Sequence, residues 1–220
     1  MSQKIKAADT AEPEMTFAGK VKKSFRQTFF VPWLKARAKR LGTHIIDSTE
    51  NCSSLLDFGC GDAILTEFLH SKSSKEVVGV DTVDTNLSRI PVVIYDGERL
   101  PFADKHFDAA LVAYALHHCQ NVGGILNELK RVTRKKIIII EEIYRSRFSQ
   151  KLLHFHDYGN RLLSSKMDIP LNFHTMDRWT ELFRNMDFLI HKTFRIYQYP
   201  LFNITHQVLF ELHLDDEIAA

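Results

Sequence analysis

The sequence predicts an α/β fold built on a doubly wound, mostly parallel sheet. Three observations carry that reading: five short apolar runs in mid-chain alternate with helix-like segments, a glycine-rich turn follows the first run, and two β-rich runs close the chain. The 220 residues are 45% hydrophobic and 25% charged, ordinary globular values that exclude a disordered or fibrous protein. Lys plus Arg number 29 against 27 for Asp plus Glu, so the net charge of +2 gives no chain-wide reason to expect nucleic acid as a partner. Oligomeric state is left open.

Residues 1–15 are polar and aperiodic and are expected to form a flexible leader. They lack the apolar stretch of about 7 to 15 residues that a secretory signal needs. The longest aliphatic run, 137–140, is far short of the roughly 20 residues of a membrane-spanning helix. Cys52, Cys60 and Cys119 form no CxxC pair, which argues against a disulfide framework and a cysteine zinc site and fits a reducing cytoplasm.

Residues 16–50 are expected to form a helical lid of two amphipathic helices divided near Pro32, since proline suits a first helical turn but not an interior. This stretch carries Lys20, Lys22, Lys23, Arg26, Lys35, Arg37, Lys39 and Arg40, interleaved with Phe25, Phe29 and Trp33. The pattern fits a solvated lid face, contact with a membrane surface or lipid-like acceptor, or a sequence-blind RNA-binding strip.

Strands are expected at 54–58, 76–80, 92–95, 107–112 and 136–141, with helices at 63–70 and 122–132; the type of 84–90 is left open. Residues 143–176, rich in Phe, Tyr, His and Arg, read as an inserted cap, and 177–186 as an amphipathic helix. The runs 188–197 and 206–214, joined through Pro200 and Asn203, suggest an antiparallel hairpin at one sheet edge.

The most informative stretch is Asp57-Phe-Gly59-Cys60-Gly61-Asp62-Ala63, where an apolar run meets closely spaced glycines and then a helix. Glycine permits the tight turn and the close approach of a ligand to backbone. A dinucleotide fingerprint needs Gly or Ala at position 64, which holds Ile64, so a nicotinamide reading is weakened. Asp57 would repel a pyrophosphate but attract an ammonium or sulfonium group. Asp81 ends the next strand, placed to accept from ribose hydroxyls. Asp96 ends the third, where its carboxylate can accept from an exocyclic amine while the Gly97 NH donates to an adenine ring nitrogen. All three lie on the carboxyl edge of the predicted sheet, and an adenosine with a cationic amino-acid tail would satisfy them together.

With Asp96-Gly-Glu-Arg-Leu-Pro101-Phe, Phe107-Asp108-Ala-Ala-Leu and Ala115-Leu-His-His118, in this order and at this spacing, the chain resembles the class I S-adenosylmethionine-dependent methyltransferases of the type-11 methyltransferase domain group, over residues 52–142. The resemblance implies a seven-stranded Rossmann-like sheet whose last strand is antiparallel, and a methyltransferase domain over 51–220. It implies S-adenosylmethionine as cofactor. Asp57, Gly59, Cys60 (through its backbone) and Gly61 would lie around the methionine part, Asp81 with Thr82 at the ribose, Asp96 and Gly97 at the adenine, and Ala113 on the sulfonium side. Two departures stand out. Ala63 occupies a position where many members carry a third glycine, at little cost if its φ is negative. Thr133-Arg-Lys-Lys136 replaces the usual Lys-Pro-Gly-Gly, so that turn must be built differently.

Methyl transfer from a sulfonium is an in-line displacement with an activated leaving group, so the enzyme mainly aligns the reactants and excludes water. A hydroxyl or acidic carbon acceptor also needs a base. Candidate catalytic residues are His117, His118 and Tyr114 after the fourth strand, and His154 and His156 in the cap. His154-x-His156 faces opposite ways on a helix and no Cys or Glu cluster supports it, so no metal is expected. The aromatic roof points to a small organic acceptor, aromatic or lipid-like, with oxygen as the methylated atom. A catalytically silent S-adenosylmethionine-binding regulatory or assembly protein and an RNA methyltransferase are the alternatives; against the latter, Ala113-Tyr-Ala-Leu116 lacks an Asn-Pro-Pro-Tyr type sequence.

Overall fold

The computed structural model describes residues 31–164, 172–196 and 206–214, without the side chains of 156–164. The expected leader, the first lid helix and the connection through Pro200 and Asn203 lie outside these residues. The described elements run α1 (Val31–Ser48), β1 (Ser54–Phe58), α2 (Ile64–Lys72), β2 (Glu76–Asp81), β3 (Val92–Ile94), β4 (Phe107–Ala113), a 3₁₀ turn (Leu116–His118), α3 (Val122–Val132), β5 (Thr133–Ile143), α4 (Arg147–Ser164), α5 (Met176–Asn185), β6 (Leu189–Ile196) and β7 (His206–His213). No described helix is long and apolar enough to cross a membrane.

The seven strands form one sheet in the order β3-β2-β1-β4-β5-β7-β6. β1 to β5 pair in parallel, whereas β7 runs antiparallel to both β5 and β6. The central strands read as continuous apolar runs because both sheet faces are covered. Alternate side chains serve separate cores. Leu56, Ala110, Val112, Ile137 and Ile139 pack with Leu126, Leu129, Trp179 and Phe183 of α3 and α5. Leu55, Ala109, Leu111, Ile138 and Ile140 pack with Leu41, Ile45 and Leu69 of α1 and α2. A one-residue slip in any of these strands would exchange the two sets.

α1 has Pro32 in its first turn and buries Ala38, Leu41, Gly42 and Ile45, the i, i+3, i+4, i+7 stripe of an amphipathic helix. Gly42 allows α1 and α2 to approach closely, since a Cβ there would stand 2.3 Å from Phe68 Cε1.

One expectation is revised, and two segments to which the sequence assigned no type take form. Residues 84–90 form no helix; Asn86 instead caps a local turn by accepting from the Ser88 NH and hydroxyl. The inserted segment contains the 18-residue α4, a helix not expected from the sequence. β5 begins at Thr133, directly where α3 ends, and Thr133-Arg-Lys-Lys136 is not a turn but the first residues of the strand, with a register shift opposite Phe107–Ala109.

Candidate functional site

The carboxyl ends of β1, β2, β3 and β4 open into one cavity of about 1010 Å³, walled on one side by Leu34, Arg37, Ala38 and Leu41 of α1. Asp57, Gly59, Cys60, Gly61, Asp81, Thr82, Asp96, Gly97 and Ala113 all line it, so the fold brings the sequence-predicted cofactor residues to one place. This is the crevice where strand order reverses in a doubly wound sheet, the position such folds reserve for ligands.

The turn after β1 is set by hydrogen bonds from the Gly59 and Cys60 NH groups to the Val80 carbonyl, at 2.9 and 3.2 Å. Gly59 has φ +66°, and a Cβ there would fall 2.5 Å from Ala115 Cβ, so only glycine lets the β1 and β4 ends meet. Ala63 has φ +57° and is fully buried, so the condition under which its departure from glycine would be cheap is not met.

Asp57 is buried, and its carboxylate accepts from Thr66 Oγ1 at 2.6 Å. Burial pushes its pKa up to about 7, opposed by the Thr66 bond and reinforced by the charges of Asp62 and Asp81. Asp81 is held from both sides: Oδ2 accepts from the Gly61 NH at 2.8 Å, and Oδ1 from the NH groups of Thr82 at 2.7 Å and Val83 at 3.2 Å. Asp96 is exposed and makes a turn, its Oδ1 accepting from the Glu98 and Arg99 NH groups, which holds its pKa below the usual carboxylate range. The turn role and the cavity position therefore coexist in Asp96. Burial pushes the Cys60 thiol far up, leaving it protonated and non-nucleophilic.

The catalytic candidates separate. His118 lines the cavity. His117 does not: it is buried in the core, with Nδ1 2.6 Å from Glu141 Oε2 and its ring stacked on Phe173 at 4.5 Å. Tyr114 lines the cavity at φ +57°, but its hydroxyl donates to Gln207 Oε1 at 2.7 Å and its ring lies under the Arg37 guanidinium at 4.3 Å. Burial pushes the phenol's pKa up, which removes it as a base near neutrality. His154 is partly buried beside Phe173, outside the cavity wall, and its Nε2 has no hydrogen-bond partner among the described residues. The His156 side chain lies outside the described residues.

Two residues escaped the sequence reading. Among the described residues, Arg37 is the sole Lys or Arg lining the cavity, opposite four aspartates and Glu98. A cation on an amphipathic helix resembles any solvated charge, and only its position one helical turn before Leu41 marks it as inward. Glu141, fully buried, accepts from the Leu116 NH at 2.8 Å and from His117, fixing the turn that presents Ala115 and His118.

The sheet and the cavity at its carboxyl edge are those of a Rossmann-like α/β domain. Residues 56–140 match the family model described as a methyltransferase domain. The chain is 34% identical over 107 residues to a demethylmenaquinone methyltransferase of Corynebacterium kroppenstedtii, covering 46% of this chain and 44% of that protein. It is 26% identical over 148 residues to a sterol 4-C-methyltransferase of Caenorhabditis elegans, covering 57% and 44%. The matches thus span less than half of these curated relatives. In fold, the chain is similar to a SAM-dependent methyltransferase from Archaeoglobus fulgidus, with a TM-score of 0.61 and 16% identity over 87% of this chain and 99% of that one.

Proposed function

We propose that this protein transfers a methyl group from S-adenosylmethionine to a small apolar acceptor. The observation that carries the reading is the buried Asp57 carboxylate on the cavity wall with no cation paired to it among the described residues, while Asp81 and Asp96 mark two further contacts along the same rim. The residues fit the cofactor. Asp57, with the backbone of Gly59, Cys60 and Gly61, suits the cationic methionine end, and Arg37 across the cavity suits its carboxylate. Asp81, oriented by three NH groups and flanked by Thr82, keeps lone pairs for ribose hydroxyls. Asp96 and Gly97 suit the adenine edge, and Ala113 the sulfonium side.

When bound, S-adenosylmethionine supplies an activated methyl group on a sulfonium. Leu34, Ala38 and Leu41 form an apolar wall suited to excluding water, which supports reading α1 as a lid. His118 is the retained base, placed to hold the proton that leaves an acceptor hydroxyl or acidic carbon. The sequence reading favours oxygen; the curated relatives are named a demethylmenaquinone methyltransferase and a sterol 4-C-methyltransferase, which supports a lipid-like acceptor and adds a carbon acid to the candidates. Trp33, half-exposed one turn before Arg37, suits contact with a membrane-like surface where such an acceptor resides.

Calorimetric titration with S-adenosylmethionine and with a nicotinamide dinucleotide tests the cofactor: binding of the first alone is expected, with affinity reduced at least roughly tenfold in Arg37→Ala through the lost charge-assisted pair. Methyl-labelled donor offered with phenols, quinols and sterols tests the acceptor. Cofactor binding without transfer to any of them, in a protein still carrying His118, would favour the catalytically silent alternative.

A further inference from the structure

The two C-terminal strands carry a cluster that the methyl-transfer reading does not use. His191 of β6 and Glu211 and His213 of β7 each present a ligand atom, and these atoms lie within 4.8 Å of one another. Glu211 and His213 share a face because they are two apart on one strand. His191 joins them through an irregularity: β6 pairs Ile190 with Leu212 and then Lys192 with Glu211, so His191 is an extra residue in the ladder. A β-bulge re-aims a side chain in this way. The His191 and His213 rings stack at 4.4 Å with 24° between their planes.

We propose that His191, Glu211 and His213 form a binding site for a divalent transition-metal ion of the zinc type. Two imidazoles and a carboxylate are the ligand set of three-ligand zinc sites, which leave a fourth position to water. Hard cations such as magnesium prefer all-oxygen sites and are disfavoured here.

Lys136 is the opposing charge, donating to Glu211 Oε1 at 3.0 Å. His213 Nε2 is also 3.0 Å from Oε1, so both contacts fall on one oxygen of a carboxylate that has lone pairs on two. Metal entry exchanges the His213–Glu211 contact for two metal bonds, with Lys136 retained on Oε1.

The position indicates the role. His213 pairs with Lys136 near the start of β5, whereas the cofactor cavity opens beyond Ala113, whose partner is Ile140. The cluster therefore lies toward the opposite edge of the sheet, and a metal there would tie the edge strand β6 to β7 rather than take part in methyl transfer.

The test is calorimetric titration of chelator-treated full-length protein with zinc chloride, in the parent, His191→Ala and His213→Ala, with circular dichroism confirming that each variant is folded. Saturable one-to-one binding is expected in the parent, weaker by at least roughly tenfold in each variant. Zinc should also raise the parent's melting temperature more than that of His191→Ala, an exposed edge position. Equal zinc affinity in parent and variants, or no saturable binding by the parent, would overturn the proposal. Neither readout involves methyl transfer, so the site can fail while the catalytic reading stands.

Discussion

Asp57 is one residue before the end of β1, so it points into the space that the glycine turn leaves open, and it is buried before any ligand arrives. Its pKa of about 7 lies above the ordinary 3.8, so between those values the folded protein holds a proton that the unfolded chain releases. Its contribution to stability is full below about pH 4 and lost as pH rises through 7. A cation in the cavity reverses the preference. Binding of S-adenosylmethionine should therefore release a proton, with Kd rising toward tenfold per pH unit below about 7. Calorimetry in buffers of different ionisation enthalpy measures the released proton directly. Asp57→Asn, which keeps an acceptor for Thr66, should flatten this pH dependence, weaken binding, and leave stability at pH 8 equal or higher.

Ala63 tests the other end of the turn. Left-handed backbone costs an L-residue roughly 1–2 kcal/mol, while a buried methyl contributes about 0.8 kcal/mol and glycine adds unfolded-state entropy. Ala63→Gly should therefore stay within about 0.5 kcal/mol of the parent in urea denaturation. Ala63→Val, β-branched and overpacked, should lose about 2 kcal/mol or more. The glycine spacing and the three aspartates were legible in the sequence because close backbone approach and charge at a strand end leave few alternatives. The sign of φ at Ala63 was not, because alanine tolerates either conformation in a turn.

Among the elements, the turn after β4 depends on a residue in β5. Glu141 closes an apolar run and was read only as the end of a strand, yet it holds Leu116 and His117 from below. Glu141→Ala would strand a buried NH and an imidazole and should cost about 3–5 kcal/mol. Glu141→Gln keeps an acceptor and should cost less, about 1–2 kcal/mol. Chemical denaturation separates the two. His117 and His118 are adjacent and alike in sequence, and their different fates follow from this turn: one ring goes to Glu141 and Phe173, the other to the cavity. Adjacent residues on a 3₁₀ turn point in different directions, which composition cannot reveal. α4 was missed because its 18 residues mix aromatic, basic and polar side chains that read as an irregular cap, and Phe148 and Phe155, both 75% exposed, mark no buried face.

For the whole molecule, the succession of strands and helices along the chain was the most legible property. Parallel strands covered on both faces must be apolar throughout, and β1 and α3 fall on the ranges the sequence predicts. What the pattern could not supply was the slot each late strand occupies. The cavity joins residues from Leu34 to Ile125, so its occupancy should be felt by the whole fold. S-adenosylhomocysteine at about 100 times its Kd should raise unfolding free energy by about 2.7 kcal/mol, a gain that Asp81→Ala should abolish by removing the carboxylate that Gly61, Thr82 and Val83 orient. Thermal unfolding with and without ligand provides the comparison.

The slot taken by β7 has a consequence for synthesis. β6 is made first, yet among the described strands it pairs with β7 alone, which lies between it and β5. While the nascent chain is still being extended toward His206–His213, the outer rim of β5 stays open and β6 has no strand to pair with among the described residues, so the half-made protein presents a bare, isoleucine-rich border to any chaperone or sister chain nearby.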